Sequence, residues 1–238
     1  YNIGHVLPGG AGLISGGFSA PADFARCGPW EAGAMSLAWF DAKLKQDPMA
    51  ISEVNAMPGY CITISSTGEG VVLDRVPTGG ANADVPKTAV PLLAPVALTP
   101  VPLYTADKDG TVVAGIPTAT ITIENPLPLP GLPEGLPLGV STDDAFVFVA
   151  LARSRAGLPS QLETLGDQVM PVRGFGTHSI ELGGIGVKLN AGDRIDLLVT
   201  MSALPQFPLL IPRNPLLPVV NVSGSVQLPV LGVVETVK

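Results

Sequence analysis

The sequence predicts a mainly β protein, a jelly-roll-like β-sandwich preceded by a loop and one helix. Three observations carry that prediction. Glycine and proline number 28 and 25 among 238 residues, nearly double an ordinary combined share of roughly 12%, which excludes a coiled coil or long-helix protein. Hydrophobic residues make up 46% of the chain and charged residues 14%, with a mean hydropathy of +0.42, so there is material for a core and the composition is not that of a disordered chain. The apolar residues also fall largely in short runs with a period of two, bounded by turn residues. The length suits one sandwich with additional material, or two small domains.

In chain order, residues 1–28 are glycine-rich and read as loop. Residues 29–46 read as a helix, with Pro29 in the first turn, where its absent N–H costs nothing. Leu37, Phe40 and Leu44 fall at helical spacing, and Met35, Ala38 and Trp39 widen the apolar stripe. Asp47-Pro48 ends the helix, because proline disfavours helix in the residue before it. Residues 60–64 have a strand signature between Pro58-Gly59 and a Ser-Ser-Thr-Gly turn, residues 71–76 follow, and residues 79–84 read as a linker. Recurrent prolines over residues 90–101 allow only extended or edge segments. Asp107-Lys108-Asp109-Gly110 is a turn, and residues 118–124 alternate Thr and Ile as a half-buried strand does.

The later strands are plainer. Residues 145–152 form an apolar run of central-strand character, and residues 178–182 alternate. Residues 186–189 and 194–201 flank Asn190-Ala191-Gly192-Asp193, a tight turn between strands. Residues 219–228 alternate again, with Asn221, Ser223 and Ser225 on one face. Seven to nine such strands indicate a sandwich of jelly-roll or immunoglobulin-like topology. Residues 124–139 and 204–220 alternate leucine with proline and cannot be central strands or helices. They read either as long loops folded over the core or as an apolar docking surface for another domain, a partner chain or lipid.

Composition also restricts function. A net charge of −7 with 13 scattered basic residues argues against nucleic-acid binding, which needs clustered Lys and Arg. No run of 18 apolar residues is free of Pro, Gly or charge, so no spanning helix is expected. The first residue is Tyr1 and no signal-peptide pattern follows it, so the chain is expected to begin after a cleavage or a boundary. Cys27 and Cys61 read either as one disulfide or as two unrelated thiols, and the low charge with a sparse even cysteine count suits a secreted or cell-envelope protein.

The chemistry-bearing residues are few. No Gly-x-Ser-x-Gly occurs, and Ser15-Gly16-Gly17 reads as a loop serine. Only two histidines are present, His5 and His178. A zinc centre needs three or four converging ligands, and no spacing supplies them, so no metal and no cofactor are expected. His178, in an alternating strand, points most simply to solvent or a rim. The Asp107–Gly110 run resembles part of a calcium loop but lacks the later glutamate, and Asp143-Asp144 reads mainly as a solvated turn. Phosphate-binding glycine motifs are absent. The residues of this chain do not make a complete active site by themselves.

Certain segments resemble a known family. Gly28-Pro29-Trp30 and the run Ala38-Trp39-Phe40-Asp41-Ala42-Lys43-Leu44-Lys45 resemble the helix after the catalytic histidine in cocaine-esterase and X-prolyl-dipeptidyl-peptidase type serine hydrolases. Residues 187–199, centred on Asn190-Ala191-Gly192-Asp193-Arg194, are similar to a strand pair of that family's C-terminal jelly roll, and residues 202–215 resemble the loop after it. The resemblance implies that residues 1–54 are the end of an α/β-hydrolase core and residues 55–238 the jelly roll. It implies hydrolysis of esters, amides or X-Pro peptide bonds by a Ser-Asp-His triad, of which His5 alone falls in this chain as general base. Ser, Asp and the oxyanion hole are then expected upstream of Tyr1, on the same or a separate chain.

The alternative is a non-catalytic cell-envelope sandwich that binds a protein or lipid through the Leu/Pro segments. Aromatic residues are 5% of the chain, which weighs against a glycan ligand. In either reading, Trp30, Leu37, Trp39, Phe40 and Leu44 give the helix too broad an apolar surface for solvent. Residues 1–50 are therefore expected to pack on an upstream hydrolase core or another subunit, and the lone chain to oligomerise.

Overall fold

The computed structural model describes residues 26–91, 100–125, 145–165, 169–200 and 219–238. The described chain opens with two short strands, β1 (Arg26–Cys27) and β2 (Trp30–Glu31), joined by a turn at Gly28-Pro29. Helix α1 (Ala32–Phe40), a π-helical turn (Asp41–Lys45) and helix α2 (Pro48–Ala56) follow. The rest is β: β3 (Tyr60–Thr63), β4 (Gly70–Leu73), β5 (Ala81–Pro91), β6 (Val101–Thr105), β7 (Thr111–Gly115) and β8 (Thr118–Glu124). Then come β9 (Phe146–Arg155), β10 (Leu158–Thr164), β11 (Met170–Arg173), β12 (Gly176–Glu181), β13 (Ile185–Leu189), β14 (Arg194–Thr200), β15 (Val219–Leu228) and β16 (Val230–Val233).

Two sheets make the sandwich. One has the order β10-β9-β14-β6, with β11 also paired to β9, and the other has the order β12-β8-β15-β5. Every paired strand in them is antiparallel. Alternation puts Ala119, Ile121 and Ile123 of β8 and Val220, Val222, Val226 and Leu228 of β15 into the core. They meet Val147, Val149 and Leu151 of β9 and Ile195, Leu197 and Val199 of β14. Each large apolar side chain so buried contributes about 1.5–3 kcal/mol. The opposite face of β15 carries Asn221, Ser223 and Ser225, as the alternation predicts. Gly224 interrupts that strand with a register shift, and a Cβ there would lie 2.0 Å from the Thr120 carbonyl oxygen at a φ of +141°. The close approach of β8 requires glycine.

A third sheet, β13-β7-β16, is apolar on both sides of its middle strand. Val113 faces the main core, while Val112 and Ala114 join Ile64 and Val71 of the β3–β4 region in a smaller cluster. All of β7 is therefore buried, and Val112 to Ala114 are apolar without alternation, while the Thr111 hydroxyl donates to the Lys108 carbonyl at 2.8 Å. The edge positions of β5 and β6 agree with the proline-limited reading of residues 90–101, of which residues 92–99 lie outside the described residues.

Three expectations change. Residues 79–84, read as a linker, include the start of β5, because Ala81 to Asp84 pair with Leu228 to Ser225 of the long strand β15. The turn at residues 190–193 does not close a hairpin. β13 pairs with β7, whereas β14 pairs with β9 and β6, so the turn arches from one sheet to another. The buried Asp193 carboxylate fixes that arch by accepting from the backbone N–H groups of Asn190 (3.0 Å) and Ala156 (2.9 Å). Finally, the single helix over residues 29–46 is two helices. Pro29 stands in the β1–β2 turn, and the second helix continues to Ala56.

Candidate functional site

The helical pair is built from local signals. Glu31 caps α1, its carboxylate accepting from the backbone N–H groups of Gly33 (3.0 Å) and Ala34 (2.8 Å). Those two bonds hold the Glu31 carboxyl below its ordinary pKa. The chain widens into the π turn, closed by the Lys45–Asp41 ion pair at 2.7 Å, and Gln46 turns it with a φ of +55°. Asp47 then caps α2, accepting from Met49 N–H at 2.8 Å, with Pro48 at the first helical position. Asp-Pro is thus a start signal as well as a stop. That feature of the sequence could have located α2.

The two helices pack against each other, and their buried residues are small: Ala32, Ala38, Ala42 and Ala50. The large apolar side chains lie outside. Leu37 is 67% exposed, Leu44 75% and Met49 83%, and Trp39, Phe40 and Ile51 are exposed as well. Trp39 and Phe40 contact each other edge to face, with ring centroids 5.3 Å apart. On the 3.6-residue helix α1, Leu37 and Phe40 share one stripe, displaced from Ala38, and Leu44 follows them in the π turn. A depression of about 310 Å³ between the helices is lined by Ala42, Lys43, Gln46, Ile51, Val54 and Asn55.

The base of the pair is clamped to the β3–β4 strands, which pack on the third sheet. Cys27 of β1 and Cys61 of β3 form a disulfide with a Cα separation of 6.0 Å, which settles the alternative left open by the sequence. Thr63 Oγ1 donates to the Arg26 carbonyl at 2.6 Å, and Gly28 N–H donates to the Gly68 carbonyl at 2.7 Å. Gly70 exchanges backbone hydrogen bonds with Val237, so the last residues close the same junction.

Beside this junction, a polar cleft of about 480 Å³ opens between the turn after β3, the ends of β9 and β10, and β13. Arg153 and Arg155 both approach Glu163, Arg155 Nη2 at 3.7 Å from its Oε2. Lys188 Nζ donates to Glu69 Oε1 at 2.7 Å, and Thr236 Oγ1 donates to the same oxygen at 2.6 Å. Those bonds, the lysine's first, hold the Glu69 carboxyl below the usual carboxylate range. Beneath the β9–β14 pairing lies a buried polar group in which Ser154 Oγ donates to Asp196, and Arg194 Nε donates to Asp196 Oδ1 at 2.6 Å.

The structure separates the remaining candidates. His5, Ser15, Asp143 and Asp144 lie outside the described residues, as do residues 126–144 and 201–218, which hold most of the two Leu/Pro segments. His178 sits half-buried on the edge strand β12, its Nε2 2.9 Å from the Gly174 carbonyl oxygen, in keeping with a rim position. The Asp107–Gly110 turn is tied to its neighbour by Ala191 N–H donating to Asp109 Oδ1 at 2.8 Å, and Gly110 has a φ of +79°. Among the described residues, no three His, Cys, Asp or Glu side chains are grouped to hold a metal ion, and no helix is long and apolar enough to cross a membrane.

No model of a known protein family matches the chain, and no curated protein matches it. Among solved structures, the chain is similar to a CocE/NonD family hydrolase from Staphylococcus aureus, with 11% identity over 83% of this chain and a TM-score of 0.47. It is also similar to an aminopeptidase from a marine-sediment Thaumarchaeota archaeon, with 12% identity over 87% of this chain and a TM-score of 0.49. The chain spans less than half the length of these structures, 45% and 46%.

Proposed function

We propose that this chain is the C-terminal portion of a serine hydrolase acting on esters, amides or X-Pro peptide bonds, and that it docks on the catalytic core through its helical pair. The observation that carries the reading is the outward apolar surface of Leu37, Phe40, Leu44 and Met49. Four large apolar side chains this exposed on one short helical pair are more than scattered surface hydrophobics, and such groups mark interaction sites. The alanines between the helices bring the two backbones together and leave the bulky groups for a partner. The hydrolase assignment is supported by the sequence resemblance around Trp39-Phe40-Asp41 and residues 187–199.

In this reading the sandwich performs no bond-breaking step. His5 accepts the proton of a serine lying upstream of Tyr1 and later delivers it to the leaving group. An acidic residue, also upstream, orients the imidazole. The clamp of Cys27–Cys61 and Gly70–Val237 fixes the helical pair relative to the sandwich, so docking the pair also positions the sandwich on the core.

The test is active-site labelling of the native assembly with a fluorophosphonate, followed by mass spectrometry. The expected result is a labelled serine in a Gly-x-Ser-x-Gly segment joined or bound to this chain. His5→Ala in that assembly is expected to lower kcat by several orders of magnitude. A loss below about tenfold removes His5 from the mechanism, since general-base catalysis contributes at least about a hundredfold. An assembly with no labelled serine leaves a non-catalytic envelope module instead.

A further inference from the structure

The charges of the polar cleft are unevenly matched. The Glu69 carboxylate is occupied by Lys188 and Thr236. Asp193 is buried and spends its oxygens on the backbone N–H groups of Asn190 and Ala156. That leaves one carboxylate, Glu163, opposite two guanidiniums, Arg153 and Arg155. Arg153 is held by Glu163 and by the Lys188 carbonyl at 3.4 Å. Its Nε is the one buried side-chain polar atom without a hydrogen-bond partner among the described residues. Buried donors are nearly always satisfied, so such an atom calls for an acceptor. Arg155 has a 60% exposed side chain and stands 3.7 Å from Glu163, beyond hydrogen-bond distance.

We propose that this cleft binds a small organic anion through an oxyanion head group, a carboxylate or a phosphate ester. Arg155 supplies the principal donors, because a guanidinium presents parallel N–H groups that match two oxygens of such a group. Arg153 adds a second positive charge from the cleft wall. Ser66 and Asn190, which also line the cleft, offer donors for the body of the ligand. The volume of about 480 Å³ is larger than an inorganic ion requires and falls within the range of small-molecule sites. Glu163 competes with the ligand for the same guanidiniums, so it limits affinity rather than creating it.

That competition gives the proposal an unusual signature. The full chain, labelled with ¹⁵N, is titrated with acetate and separately with inorganic phosphate at constant ionic strength, using chloride as the balancing anion. The expected result is saturable shifts of the Ser65, Ser66 and Lys188 amides with millimolar affinity for at least one of the two probes, and the stronger of them identifies the head group. Arg155→Gln, at an exposed position, is expected to weaken binding by about tenfold. Glu163→Gln is expected to tighten it several-fold, because it removes the competing charge and preserves the shape. Lys87→Gln, whose lysine pairs with Glu124 on β8, is expected to leave it unchanged. The proposal is overturned by shifts that track chloride equally, by no saturation with either probe, or by a Glu163→Gln variant that binds more weakly than the parent chain.

Discussion

The sandwich and the helical pair use the same apolar residues in opposite directions. In the sandwich, Ile121, Ile123, Ile195 and Leu197 point inward and are wholly buried, while threonines and serines take the outer face. In the helical pair, alanines are inside, and Leu37, Leu44 and Met49 are outside. Among the described residues, the sandwich completes its own hydrophobic core and the pair buries only small side chains. The difference teaches that burial is decided by what a segment packs against. Among the described residues, the strand pattern finds its partner within the chain, whereas the helical stripe is left exposed.

The largest expected effect lies in the sandwich. Ile121→Ala or Leu197→Ala should lower unfolding free energy by about 2–5 kcal/mol, since a cavity is left where the core cannot collapse. The double substitution Leu37→Ser and Leu44→Ser should change the stability of the lone chain by about 0.5 kcal/mol or less. It should also lower self-association measured by light scattering. Equal destabilisation at both places, in urea unfolding of the same preparation, would break the contrast.

An effect of similar size, confined to one region, is expected at the junction between the regions. The Cys27–Cys61 disulfide spans a sequence separation of 34 residues, which the chain-entropy model values at about 3–4 kcal/mol. Cys27→Ser with Cys61→Ser should therefore reduce hydrogen-exchange protection of α1, β1 and β2, while the amides of β8 and β15 keep theirs. Loss of protection throughout would mean that the two regions unfold as one unit.

The smallest expected effect is the pH response of the same junction. The folded-state pKa of Glu69 lies below its unfolded value, chiefly through Lys188 and then Thr236. Its stabilisation is thus fully present above the unfolded carboxylate pKa of about 4.3. It is lost as pH falls through the lower folded value. Thermal unfolding of Glu69→Gln should depend less on pH in that acid window than the parent chain, and parallel curves would remove Glu69 from the response.

Much of the sandwich was legible because period-two patterns carry their own facing. Residues 118–124 and 219–228 could be read as strands with one buried side, and both are. The extent of the helical region was less legible, since Asp47-Pro48 ends one helix and begins another with the same two residues. For the candidate sites the outcome is uneven. The apolar width of residues 30–44 was read as a docking surface; Leu37, Trp39, Phe40 and Leu44 are exposed, whereas Trp30 is half-buried. The cleft was invisible in sequence, because Ser65, Arg153, Glu163 and Lys188 come from four separated segments.

By itself, the sequence determined the β class, most strand positions, the first helix and the excess of apolar surface there. These follow from short-range periodicity, turn chemistry and composition, which act within a few residues. Only the tertiary structure decided that Cys27 joins Cys61, that the turn at residues 190–193 arches between sheets, and that two arginines share Glu163. Such pairings depend on which strands become neighbours across long sequence separations. Local pattern does not encode that choice, because many registers satisfy the same alternation and the packed core as a whole selects one of them.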